Sequence, residues 1–126
     1  MEIITTQNAP AAIGPYVQGV STGKMVITSG QLPVDPQTGI MSDAIEVQTH
    51  QSLENVRAIV EAAGLTTGNI IKTTVFVKDL NDFAAINNAY EAFFKRHGTA
   101  FPARSCVEVA RLPKDAKIEI EAIAVA

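Results

Sequence analysis

The sequence predicts an α+β domain in which two helices cover one face of a β-sheet. Three observations carry that reading. Runs of β-branched and aromatic residues alternate with two stretches of helical periodicity, in the order strand, strand, helix, strand, helix, strand, strand. At 126 residues the chain has the length of one domain, which we place over residues 1–126. Hydrophobic residues make up 47%, enough to fill a core and too many for a disordered chain.

Each element has its own local reason. A short extended segment comes first, followed by a strand over Tyr16 to Val20. Ser21-Thr22-Gly23-Lys24 has the composition of a hairpin turn, and Met25 to Ser29 is a β-rich run that stops at Gly30. Two prolines and a glycine make Pro33 to Gly39 a loop. Asp43 and Glu46 have capping-box spacing and Gly64 is a C-terminal stop; between them Leu53, Val56, Ile59, Val60 and Ala63 recur on one helical face. Lys72 to Lys78 is β-branched and aromatic, hence a strand. Asn81 is read as the cap of a second helix whose buried stripe is Phe83, Ile86, Tyr90 and Phe93, ending at His97 and Gly98. Arg104 to Val109 is the next strand, and Leu112-Pro113-Lys114-Asp115 connects it to the last. From Lys117 to Val125, Ile118, Ile120, Ala122 and Ala124 alternate with Lys117, Glu119 and Glu121. Two helices cover one face of such a sheet, so the other face calls for a second copy of the chain.

Composition excludes several classes. The net charge of −3 is wrong for a chain that must neutralise many phosphates, so nucleic acid is not the expected partner. A single cysteine, Cys106, permits no internal disulfide and no CxxC motif. The N-terminus lacks the basic-then-apolar pattern of a secretory signal, and no apolar run reaches membrane-spanning length, so a cytoplasmic location is expected. There is no GxxxxGK[ST] loop, no GxGxxG and no HExxH, and no metal or cofactor is expected.

Few residues remain to carry chemistry. His50 reads as solvent-facing, and His97, in a final helical turn, suits the negative end of the helix dipole. Cys106 without a histidine partner is a poor nucleophile, and its side chain reads as strand packing. Arg104 follows Pro102 at the start of a strand and by parity shares a face with Cys106 and Glu108. Its guanidinium is either an ordinary surface ion-pair member or a planar fork for a carboxylate. Glu119 is either the polar half of an alternating strand or, under a neighbouring subunit, a desolvated carboxylate able to hold water.

The run Pro102-Ala103-Arg104-Ser105-Cys106-Val107-Glu108-Val109-Ala110-Arg111-Leu112-Pro113, followed by Ile118-Glu119-Ile120, resembles the signature of the RidA/YjgF family of reactive-intermediate deaminases. Ala12-Ile13-Gly14-Pro15-Tyr16, Thr28-Ser29-Gly30-Gln31-Leu32-Pro33, Ser52-Leu53-Glu54-Asn55-Val56 and Thr74-Val75-Phe76-Val77-Lys78-Asp79-Leu80 extend the resemblance over the whole chain. It implies a chorismate-mutase-like α+β fold with a mixed sheet, and a homotrimer with clefts between adjacent subunits. The implied reaction is hydrolysis of 2-iminobutanoate and 2-iminopropanoate, released by pyridoxal-phosphate-dependent dehydratases, to 2-oxo acids and ammonia. In the family pattern Arg104 binds the substrate carboxylate, and Glu119 with the backbone carbonyl of Cys106 positions the attacking water. Tyr16, Ser29, Gly30 and Asn87 match pocket-lining positions. Two other classes use the same residues differently: a 2-oxo acid or amino acid sensor without turnover, and an RNA-cleaving translation inhibitor, which the acidic balance disfavours.

Overall fold

Alternation along its last eight residues of regular structure makes the final strand apolar on one side, and that strand becomes the centre of the sheet. The computed structural model describes residues Met1–Ala126. Its elements are β1 (Glu2–Ile4), β2 (Gly19–Ser21), β3 (Met25–Thr28), α1 (Ile45–Ala62), β4 (Ile70–Val77), α2 (Phe83–Arg96), β5 (Ala103–Glu108) and β6 (Ile118–Val125). The 6-stranded sheet has the order β1-β2-β3-β6-β4-β5. β6 runs antiparallel to both β3 and β4, whereas β4 and β5, joined through α2, are parallel, so the sheet is mixed as expected.

Both helices lie on one face. Leu53, Val56, Ile59 and Val60 of α1 and Ile86, Tyr90, Phe93 and Phe94 of α2 are buried against Val26, Val75, Val77, Ile118, Ile120, Ala122 and Ala124 of the sheet. Each of the larger side chains contributes roughly 1.5–3 kcal/mol by leaving water. Gly19 marks the closest approach of β2 to α1: a Cβ there would stand 2.8 Å from the Ile59 methyl. The opposite face carries no helix. Its cross-strand row Ile3, Val20, Ile27 and Ile123 is apolar, with Ile3 62% and Ile27 41% exposed.

Four local expectations are corrected. The capping box from Asp43 to Glu46 does not form. Ala44 is the N-cap, without a side-chain cap, because the helix start is anchored non-locally: Gln48 Nε2 donates to the Ser42 carbonyl (2.6 Å) and its Oε1 accepts from Lys117 N (2.9 Å). Asn81 does not cap α2. Asp79 accepts from Asn81 N (2.8 Å) and closes a 3-10 turn, Leu80–Asp82, that runs into the helix. Tyr16 to Gln18 is not strand, because the buried Gln18 side chain binds the N-terminal segment, accepting from Thr6 N (2.7 Å) and donating to the Pro10 carbonyl (2.8 Å). Phe83 is not part of the buried stripe. It begins α2 beside the edge strand and stays 38% exposed, while Phe94 takes its place in the core. No helix is long and apolar enough to cross a membrane.

Candidate active site

Register alone divides the candidate residues into two groups. Residues paired across strands point to the same side of a sheet. Arg104 is opposite Thr73 and Cys106 opposite Val75, both on the helix-covered face. Glu119 is opposite Phe76, and Phe76 is opposite Val107, all on the uncovered face. Arg104 and Glu119 of one chain therefore project from opposite sides of the sheet.

The first group gathers where α2 meets the edge strand β5. Arg104 is half-buried, and its only hydrogen bond within the chain runs from Nη1 to Asn87 Oδ1 (2.8 Å). The guanidinium carbon lies 4.9 Å from the centre of the Tyr90 ring and 5.4 Å from that of Phe83. No ion pair of the chain involves it. Two depressions flank the guanidinium. One, about 350 Å³, is lined by Asn87, Tyr90, Phe101 and Pro102 among others; the second, about 480 Å³, by Leu80, Phe83 and Cys106. Burial pushes the Cys106 thiol up, the nearby Arg104 charge opposing it only in part, which fits the expected packing role for that side chain. Its backbone has a different use. Val109 N donates to the Val77 carbonyl (2.8 Å), so in this parallel pair Val107 and Ser105 also bond towards β4. The Cys106 carbonyl faces the free edge of the sheet.

The second group lines a crevice of about 540 Å³ that contains Tyr16, Ser29, Gly30, Gln31, Lys114 and Glu119. Gln31 pairs with Ile120, its N donating to the Ile120 carbonyl (2.7 Å), and this bridge lays the Ser29–Leu32 segment along β6. Gly30 leaves room for the carboxylate: a Cβ would fall 2.0 Å from Glu119 Oε1 and would displace that side chain from its present position. Asn55, fully buried on α1, holds the far side of the same segment by donating to the Leu32 (3.0 Å) and Val34 (2.9 Å) carbonyls. Ser29 Oγ donates to the Val17 carbonyl and its N to that of Gln18 (2.8 Å), so the hydroxyl keeps lone pairs for another donor. Tyr16 is not core: it is 51% exposed, and its hydroxyl accepts from Ile13 N (3.3 Å). Burial first, and then the charge of Glu121, raises the Glu119 pKa.

The histidines lie elsewhere. His50 and His97 both approach Glu54 Oε1, at 3.6 and 3.8 Å, away from both groups. Sequence reasoning missed Gln31, Lys114, Phe83 and Tyr90 as neighbours of the site. The first two come from loops whose path no periodicity reports, and the aromatics read as core at helical spacing. Chemically, the first group offers a cation with free donors beside an apolar wall. The second offers a carboxylate poised to take up a proton.

Residues 6–126 match the family model described as Endoribonuclease L-PSP. A Salmonella typhimurium protein named 2-iminobutanoate/2-iminopropanoate deaminase is 74% identical over 122 residues, covering 97% of this chain and 95% of its own. The Escherichia coli protein of the same name is 71% identical over 122 residues, with the same coverage of 97% and 95%. Among solved structures, the Escherichia coli YjgF gene product superposes with a TM-score of 0.98 at 69% identity, over 99% of this chain and 98% of that one. Escherichia coli TdcF with bound serine superposes with a TM-score of 0.99 at 63% identity, over 100% and 99%.

Proposed function

The chain belongs to the RidA/YjgF family, whose model is described as Endoribonuclease L-PSP, and we propose that it hydrolyses reactive 2-imino acids to 2-oxo acids and ammonia in the cytoplasm. The observation that carries this reading is Arg104: a half-buried guanidinium with one internal hydrogen bond, no carboxylate partner, and a depression on either side. Such a fork binds a planar carboxylate through parallel charge-assisted bonds. The apolar side chain of Leu80 beside it suits a short alkyl group.

The rest of the chemistry follows from the substrate. The carbon of a protonated C=N group is already electrophilic, so the protein needs to orient it and to manage protons. Water attacks that carbon while Glu119 takes one of its protons, and the Cys106 carbonyl accepts a hydrogen bond from the same water. Glu119 returns that proton to the nitrogen of the resulting carbinolamine. The C–N bond then breaks as the hydroxyl oxygen forms the C=O bond and passes its own proton to Glu119, so that ammonia leaves, the 2-oxo acid remains, and the last proton goes out with the ammonia as ammonium. One water is consumed for each ammonia released. A carboxylate with a raised pKa is suited to these transfers.

One chain cannot complete this site, because Arg104 and Glu119 stand on opposite faces of its sheet. We therefore place the reaction between subunits of a homotrimer. The β5 edge of one subunit, with Arg104 and the outward Cys106 carbonyl, meets the Glu119 crevice of the next. The apolar row Ile3, Val20, Ile27 and Ile123 supports self-association through the uncovered face.

The test is ammonia release from 2-iminobutanoate generated freshly by a threonine dehydratase. The wild type accelerates release; Arg104→Ala abolishes saturable turnover while remaining folded, and Arg104→Lys also fails. Glu119→Gln retains 2-oxobutanoate binding by calorimetry and loses turnover. Unfolded together and refolded as a mixture, Arg104→Ala and Glu119→Gln chains regain activity, since some clefts then combine an intact Arg104 with an intact Glu119. Wild-type rates in Arg104→Ala would remove the assigned role. Binding without turnover in the wild type would make the protein a sensor.

A further inference from the structure

Phe83, Asn87 and Tyr90 stand four and three residues apart on α2, so they form one stripe along the helix, and Arg104 on β5 meets all three. We propose that Phe83 and Tyr90 are positioning residues for Arg104, two aromatic rings that hold its guanidinium so that its unused donors face the substrate carboxylate. The proposal rests on Arg104 being the carboxylate-binding group.

Arg104 poses a physical problem. It lies on an edge strand, and an arginine side chain has many rotamers to lose. An internal carboxylate would fix it, but would also neutralise it and occupy the donors that the substrate needs. Aromatic rings avoid both costs. They attract the cation through the quadrupole of the ring face and leave every N–H free. Both guanidinium-to-ring distances, 5.4 Å to Phe83 and 4.9 Å to Tyr90, fall inside the range of about 6 Å over which that attraction acts. Asn87 accepts from Nη1 and sets the rotation of the fork.

The surroundings of the rings fit this role better than packing alone does. Phe83 is outside the core cluster and 38% exposed, so core filling does not require an aromatic residue there. Tyr90 is buried, and its hydroxyl is bonded to Thr73 Oγ1 at 2.6 Å. Thr73 is the residue paired with Arg104 across β4 and β5. The strand that carries the cation is thus registered against the residue that orients the ring.

Phe83→Leu keeps an apolar side chain and removes the ring. We expect KM for 2-iminobutanoate and the inhibition constant of 2-oxobutanoate to rise about three- to tenfold, with kcat within about twofold, the pattern of weakened uniform binding. Phe83→Tyr, which restores a ring, restores KM. In an Arg104→Lys background Phe83→Leu adds no further loss of 2-oxobutanoate affinity. An unchanged KM in Phe83→Leu, or equal losses with leucine and tyrosine, would overturn the proposal. A second readout does not depend on function. Urea unfolding of Phe83→Leu, Arg104→Ala and the double variant measures the coupling of the two side chains. Additive effects overturn the cradle. Coupling in a wild-type protein that neither binds 2-oxobutanoate nor releases ammonia leaves the cradle standing and removes the deaminase reading.

Discussion

Under the proposed mechanism, Glu119 is the residue whose titration sets how turnover responds to acid. Its pKa is raised first by burial and then by the charge of Glu121. In that mechanism the carboxylate form is the active one, so activity should be lost as pH falls through this raised value, at a higher pH than an ordinary glutamate would require. Glu121→Gln removes the second cause and should move the acid limb of the kcat profile to lower pH, while leaving 2-oxo acid binding in place. A limb that does not move would mean that another group is titrating. The same residue shows what strand parity can convey: alternation correctly placed Glu119 off the core face. It did not convey that Gly30 stands so close that a Cβ would meet the carboxylate at 2.0 Å. That approach depends on a loop laid down by the Gln31–Ile120 bridge, and no local signal in the sequence encodes it.

At the scale of elements, helix cores were legible and helix starts were not. The apolar stripes of α1 and most of α2 follow from period, because burying one face is the physical reason that these helices exist. Caps are different. Capping spacing at Asp43 and at Asn81 is a local preference, and other contacts override it: at one helix the distant pair Gln48 to Lys117, at the other a competing local turn closed by Asp79. The uncapped start of α1 is consequently improvable. Ala44 already has extended backbone angles, φ −83 and ψ 126. Ala44→Asp should add about 1 kcal/mol, and a denaturant midpoint at unchanged m-value measures it. No gain would show that a side chain at this position does not reach the free Glu46 and Val47 amides.

For the whole molecule the informative feature is that Arg104 and Glu119 lie on opposite faces of one sheet. The uncovered face and its apolar row should be the surface that a neighbouring subunit hides. Ile27→Lys, at the centre of that row and 41% exposed, should leave the monomer fold intact. It should lower the solution mass to that of one chain and abolish turnover, because each lone chain has Arg104 and Glu119 on opposite sides. Light scattering and circular dichroism together check this. A monomeric variant with wild-type activity would place the whole site in one chain and remove the shared cleft.

By itself the sequence determined the fold class, the order of elements and, within each strand, which side chains share a face. These follow from periods of two and of about three and a half residues, which are properties of neighbouring positions. It also supplied a family resemblance, on which the roles of Arg104 and Glu119 were first drawn. Tertiary structure alone decided that these two residues diverge, that Phe83 leaves the core to sit beside Arg104, and that loops around Gly30 and Lys114 wall the crevice. The reason is physical: strand pairing and loop paths are set by contacts between residues far apart in the chain, and such contacts leave no period to read.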